Sequence, residues 1–263
     1  MMKIRKVIFI GLGVLGGLYV LLGVFLFVAQ KSILYYPDDR KFEECFAFSD
    51  YEKMDYNGTR FYFKEQSSRA LVFYHGNARS ACDESFLKPL FEASGASVLF
   101  VEYAGYAGYD QGPSKDLILQ DVQNIHDFLE EQSFTDTIVF GESLGSGPAS
   151  YHASLGGVSR LVLVSSFSSM EDLAQFKFKI YPMSVLLKED YDNVKSLKKF
   201  DGDLLMIHGE QDTLIPFSFS RALFDSFPGE NKEYVLIPDY GHNFLWNSEI
   251  VQGKIAEFIG VEN

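Results

Sequence analysis

Thr137-Ile138-Val139-Phe140-Gly141-Glu142-Ser143-Leu144-Gly145 decides how the rest of the chain is read. Its first four residues are apolar or β-branched and predict a buried strand. The next five match G-x-S-x-G, and the segment after them, Gly145–Leu155, reads as a helix. A serine between two glycines at a strand-to-helix turn is the pattern of a nucleophile elbow. The turn is sharp, and glycine at 141 and 145 removes the Cβ atoms that would collide there. Ser143 would then stand at a helix amino terminus, where the dipole favours developing negative charge.

A serine hydroxyl needs a base, and the base needs a carboxylate to orient it. The chain order that goes with such an elbow is serine, acid, histidine. Met206-Ile207-His208-Gly209-Glu210-Gln211-Asp212 ends a predicted strand with an acid in the following loop. Pro238-Asp239-Tyr240-Gly241-His242-Asn243-Phe244 ends the last strand with a histidine, and Gly241 would allow the bend that aims His242 at the serine. Asp212 leads as the acid on chain position; Glu210, Asp239, Glu171 and Asp172 stand as alternatives. Of the other histidines, His75 and His208 precede glycines at strand ends and read as loop braces. His126 falls on a surface-type helix, and His152 on the packed helix after the elbow. An oxyanion would need two backbone N–H donors. Leu144, after the nucleophile, supplies one; Asn77, in Tyr74-His75-Gly76-Asn77-Ala78, supplies the other.

Outward from this centre, strands are expected near Cys45–Phe48 and at Arg60–Lys64, Ala70–Tyr74, Ser97–Val101, Leu161–Val164, Leu204–His208 and Tyr234–Ile237. Helices are expected at Glu84–Ser94, Lys115–Glu131, Pro216–Phe227 and Leu245–Ile259. Such alternation predicts an α/β fold, a mostly parallel sheet with helices on both faces. Residues 167–200 break the rhythm with Phe176, Phe178, Tyr181 and Met183, and read equally as a small lid over the strand ends or as a core-packing insertion.

Val7 to Ala29 is an uncharged apolar run. As a helix it rises about 34 Å, enough for a hydrocarbon core of about 30 Å. A cleaved signal would want small residues one and three places before the cut; Ala29 is small but Phe27 is not, which favours a single-pass anchor. The expected organisation is a basic segment 1–6, a transmembrane helix 7–29 and a catalytic domain 30–263. Lys3, Arg5 and Lys6 precede the span, so the domain is expected on the non-cytoplasmic side. Gly11-Leu12-Gly13-Val14-Leu15-Gly16 matches a dinucleotide fingerprint, but inside a membrane span it lacks the strand–helix setting that would give it meaning. The pair Gly13 and Gly17 is read as ordinary span glycine.

The chain has 263 residues, 47% hydrophobic, with net charge −13. It is long enough for one large α/β domain, and its acidic body excludes nucleic acid as a partner. Cys45 and Cys82 sit in no Cys-x-x-Cys or zinc spacing. They could pair in an oxidising compartment; the expectation is two unpaired thiols.

At HGNA (75–78), GESLG (141–145), IHGEQD (207–212) and GHNF (241–244) the chain resembles the α/β-hydrolase superfamily, over about residues 40 to 260. It looks most like the compact membrane-anchored ABHD-like branch. There a segment like Tyr103-Ala104-Gly105-Tyr106-Ala107-Gly108 usually reads Tyr-Arg-Gly-Tyr-Gly; Ala104 replaces the arginine here. The resemblance implies a serine hydrolase acting on an acyl ester or thioester through an acyl-enzyme, with Ser143, His242 and Asp212 as triad, Asn77 and Leu144 as oxyanion donors, and no metal or organic cofactor. The substrate would be an acyl-containing small molecule, a lipid or an acylated protein. A peptidase or amidase on the same triad, and a non-catalytic binding protein on this fold, are the alternatives.

Overall fold

Short apolar runs separated by amphipathic segments assemble into one eight-stranded sheet in the computed structural model, which describes residues 2–78 and 80–261. The strands are β1 (Glu52–Tyr56), β2 (Thr59–Lys64), β3 (Arg69–Tyr74), β4 (Ser97–Glu102), β5 (Asp136–Glu142), β6 (Val158–Val164), β7 (Asp203–Gly209) and β8 (Lys232–Ile237). Their spatial order is β1-β2-β4-β3-β5-β6-β7-β8. β1 and β2 are antiparallel, β2 meets β4 antiparallel, and every pairing from β4 to β8 is parallel. This is the expected α/β architecture.

The helices are α1 (Met2–Leu34), α2 (Lys88–Glu92), α3 (Lys115–Glu131), α4 (Ser146–Leu155), α5 (Met170–Lys177), α6 (Met183–Leu186), α7 (Asn193–Leu197), α8 (Phe217–Ser226) and α9 (Glu249–Ile259). Side chains alternate across each strand. On β3, Ala70, Val72 and Tyr74 pack with Ile118 and Val122 of α3 and Ala149 of α4. Leu71 and Phe73 face the other way, towards Phe91 of α2 and Val251 and Ile255 of α9. Both faces of the centre of the sheet are therefore dry, which is what parallel pairing there requires.

Three differences from the sequence reading concern the amino-terminal third. Phe42–Glu44 is a 3-10 turn, and 45–48 passes through irregular chain into a turn rather than forming a strand. The first strand instead begins at Glu52 and turns into β2 through Asn57 (φ 53°) and Gly58 (φ 86°), a pair suited to a tight hairpin. Cys45 and Cys82 form a disulfide, with Cα atoms 5.9 Å apart, which corrects the expectation of free thiols. The physical reason is the packing of the turn at 42–48 against the 3-10 helix Ala81–Leu87, which buries both residues in one apolar cluster.

α1 is longer than the apolar run alone. Its apolar side chains are exposed on most sides, including Phe9, Leu12, Leu21, Phe25 and Val28. By length and composition α1 can cross a membrane. From Tyr19 onward, α1 and the Tyr35 that follows it lie against residues 180–191 of the excursion, which folds as α5, α6 and α7.

Candidate active site

The elbow forms because β5 can turn into α4 only if two side chains are missing. A Cβ on Gly141 would overlap the Gly145 carbonyl oxygen, and one on Gly145 would overlap that of Tyr74. Ser143 between them has φ 53°, a left-handed conformation unfavourable for a residue with a side chain. Such strain is held in place by surrounding structure and gathers at functional sites. The Ser146 hydroxyl donates to the Ser143 carbonyl at 2.7 Å, fastening the turn to the start of α4.

Ser143 Oγ lies 2.9 Å from His242 Nε2, and His242 Nδ1 lies 2.7 Å from Asp212 Oδ2. The three side chains come from the ends of β5, β7 and β8. Asp212 is buried. Its Oδ1 accepts the amides of Leu214 (2.9 Å) and Ile215 (2.8 Å). Its Oδ2 also accepts from His208 Nε2 at 3.1 Å. Burial alone would raise this carboxyl, but the hydrogen bonds from His208 and His242 outweigh it and hold it well below the usual carboxylate range. An ionised Asp212 keeps the proton on His242 Nδ1, leaving Nε2 to accept from Ser143.

The alternative acids do not make this contact. Glu210 is exposed. Asp239 accepts from Gln211, Asp172 accepts the Ser168 hydroxyl, and the Glu171 amide is bound by Asp190. The bend before His242 is not made at Gly241. Asp239 (φ 63°) and, beyond the histidine, Phe244 (φ 69°) take the left-handed conformations.

The loop after β3 lies against Ser143: a Cβ on Gly76 would be 3.7 Å from Ser143 Cβ. Asn77 is clamped in it. Its carbonyl and Oδ1 accept the Tyr106 hydroxyl at 2.9 and 3.1 Å, and Oδ1 also accepts the Tyr36 amide at 3.2 Å. The Tyr103 hydroxyl donates to the His75 carbonyl at 2.7 Å. Tyr103 and Tyr106 therefore position the loop, a role that sequence reasoning did not assign. Between them, Ala104 donates its amide to Asp121 Oδ2 at 2.7 Å, and Thr59 donates to Oδ1 at 2.7 Å. Burial pushes the Asp121 carboxyl up to about 7 despite these bonds. Leu144, buried, is the middle residue of the 3-10 turn Ser143–Gly145 that leads into α4.

His208 is more than a loop brace, because it holds the acid itself. Its spacing of four from Asp212 is the one signal the sequence carried. His152 is buried against the Tyr74 hydroxyl at 2.9 Å, and burial, with His126 beside it, lowers its pKa to about 3. Among the described residues, no group of three or more His, Cys, Asp or Glu side chains is arranged to hold a metal ion.

No protein-family model matches the chain. An uncharacterised Mycobacterium tuberculosis protein is 29% identical over 192 residues, 72% of this chain and 67% of that one. The lysophosphatidylserine lipase ABHD12 of Macaca fascicularis is 24% identical over 229 residues, 74% of this chain but only 56% of the relative. Among solved structures, a Pyrococcus furiosus esterase superposes with a TM-score of 0.65 at 17% identity, over 81% of this chain and 91% of that one. At that identity the structural likeness shows a shared fold.

Proposed function

Starting from a chain that has the α/β-hydrolase fold and a sequence like that of the ABHD-like branch, we propose that this protein is a serine hydrolase cleaving an acyl ester or thioester at a membrane. One observation carries the proposal: the unbroken hydrogen-bonded line Ser143–His242–Asp212 on a strained glycine-flanked turn.

The chemistry follows from that line. His242 Nε2 takes the Ser143 proton as Oγ attacks the acyl carbonyl. Asp212 holds the ring and offsets the positive charge that develops on it. The amides of Leu144 and Asn77 receive the oxyanion, and the rigid clamp on Asn77 means little reorganisation accompanies charge formation. His242 then protonates the leaving oxygen or sulfur, and water, activated by the same histidine, releases the acid.

Residues 7–29 act as a single-pass anchor in this reading, residues 30–263 as the catalytic domain and 167–200 as its lid. Lys3, Arg5 and Lys6 before the span favour a cytoplasmic amino terminus. The Cys45–Cys82 disulfide supports the same orientation, since cystines persist in oxidising compartments. The name of the macaque relative, a lipase, supports a lipid substrate.

The test is covalent labelling by a fluorophosphonate probe. Wild type labels and Ser143→Ala does not. Equal labelling of both would remove Ser143 as the nucleophile. Acyl esters assayed beside aminoacyl amides separate the esterase from the amidase.

A further inference from the structure

α1 is stitched to the excursion at two levels. Tyr19 stacks on Tyr181 with ring centroids 4.6 Å apart and planes 6° from parallel. The Tyr19 hydroxyl donates to the Ile180 carbonyl at 2.8 Å, and the Tyr181 hydroxyl to the Tyr19 carbonyl at 3.1 Å. Gly23 makes room: a Cβ there would lie 3.3 Å from Tyr181 Cε1. Nearer the domain, Gln30 Oε1 accepts the amides of Lys188 (2.6 Å) and Glu189 (3.2 Å). On both sides of Gln30 the surfaces part and leave an apolar cleft of about 160 Å³. Leu26, Ile33 and Leu34 of α1 form one wall, and Leu173, Ala174 and Met183 the other; Gln30 and Lys177 are its polar neighbours.

Both ends of this cleft are informative. Leu214 lines it, and the Leu214 amide is bonded to Asp212 Oδ1. Leu34 lines it too, two residues before Tyr36, whose amide holds Asn77. One end therefore reaches the loop that carries Asp212 and the last turn of α1, two residues short of the Tyr36 contact to Asn77. The other end, at Leu26, lies within the apolar span.

We propose that this cleft holds the hydrocarbon chain of the substrate while its carbonyl reaches Ser143, so that the anchor helix is a wall of the substrate site and not only a tether. The substrate class is a long-chain acyl amphiphile entering sideways from the bilayer. This rests on the reading of Ser143 as an acyl-hydrolase nucleophile. A dry apolar cavity of this size accepts a hydrocarbon guest as large as benzene. A chain coming from lipid meets mostly apolar walls in the cleft and loses little hydrophobic stabilisation there. A monomeric ester coming from water gains about fourfold in affinity for each methylene buried.

The experiment uses the full chain in phosphatidylcholine nanodiscs and a series of p-nitrophenyl esters from acetate through butyrate to laurate and palmitate. Leu26→Trp and Ala174→Phe fill the cleft from opposite walls. Each variant should lower the ratio of palmitate to acetate hydrolysis by about tenfold or more, as several methylenes lose their place. Comparison with wild type at each ester cancels partition into lipid. Val28→Trp, on an exposed side of α1, should keep the wild-type ratio. Should both cleft variants retain the wild-type ratio while hydrolysing esters, the cleft assignment is overturned and the esterase reading survives. Wild type that cleaves no ester in the series, long or short, overturns that reading and the cleft with it.

Discussion

Removing the Cys45–Cys82 disulfide should cost this domain a substantial part of its stability. The bridge joins residues 37 apart in sequence. The loop it closes contains β1, β2 and β3 and the segment that carries Asn77. On the chain-entropy account, cross-linking a loop of that length removes about 4 kcal/mol of denatured-state freedom. Both cysteines are buried in the cluster with Phe42, Leu87 and Phe91, so Cys45→Ala with Cys82→Ala also loses some packing. For a domain of this size, about 4 kcal/mol corresponds to a fall in Tm of roughly 8–16 °C. The assay is built in: Trp246 is the single tryptophan and packs against Phe140 and Phe86 near the elbow, so its fluorescence reports loss of the site's surroundings. Urea titrations of the full chain in detergent, oxidised wild type against the double variant, give the difference directly. A double variant within about 1 kcal/mol of wild type would refute the loop-closure reasoning. Iodoacetamide modifying both cysteines of unreduced native protein would refute the bridge itself, and with it the support it lends to a non-cytoplasmic domain.

Two further outcomes concern carboxylates. Asp212→Asn should leave a folded protein whose acyl hydrolysis falls by about 10⁴, because an amide no longer dictates which nitrogen of His242 carries the proton; ester turnover beside a circular dichroism spectrum checks both halves. Asp121 shows the opposite behaviour. Its folded pKa of about 7 lies above the ordinary carboxylate value, so the native state holds the proton more tightly than the unfolded chain. Its contribution is fully present below about pH 4 and is lost as pH rises through about 7, a loss of up to about 4 kcal/mol. Asp121→Asn still accepts from the Ala104 amide, and its side-chain amide can donate to the Thr59 hydroxyl in place of accepting from it, so urea midpoints across pH 4 to 8 should flatten in that variant; a parallel fall in both proteins would show that Asp121 is not the source.

What could be read from the chain alone followed from how local each cause is. The elbow was legible because the exclusion of side chains at Gly141 and Gly145 operates within a few residues. Ser143, Asp212 and His242 were legible as a set because a parallel sheet delivers the ends of β5, β7 and β8 to one rim. Which atom does the turning was not: Gly241 looked like the hinge, yet Asp239 takes the left-handed conformation, held in a loop where Gln211 bonds to both Tyr240 and Asp239. The strand expected near Cys45 failed for a related reason. Its apolar residues, Cys45 and Phe48, are buried by a turn packed on Tyr62 and Phe100 rather than by a ladder. The disulfide joins that turn to a helix beyond three strands, a contact that only tertiary packing creates.

α1 shows where more could have been read. Its run is so uniformly apolar that composition says only that lipid can cover it. The deviations carry the missing information. Tyr19, Gly23, Leu26, Gln30 and Leu34 follow one another at spacings of four, three, four and four, which places them on one face of a helix. A hydroxyl, a missing side chain and an amide on one stripe of a span are what a packed face looks like when lipid covers the others. In the structure Tyr19, Gly23 and Gln30 of that stripe touch the excursion, and Leu26 and Leu34 face it across the cleft. The same stripe supplies the wall assigned to the substrate cleft and ends two residues before the Tyr36 amide that holds Asn77. α1, the excursion at 167–200 and the Asn77 loop are thus joined by contacts that begin inside the apolar span, so on the proposed function a change deep in α1 should be felt in substrate selection before it is felt in attachment to the membrane.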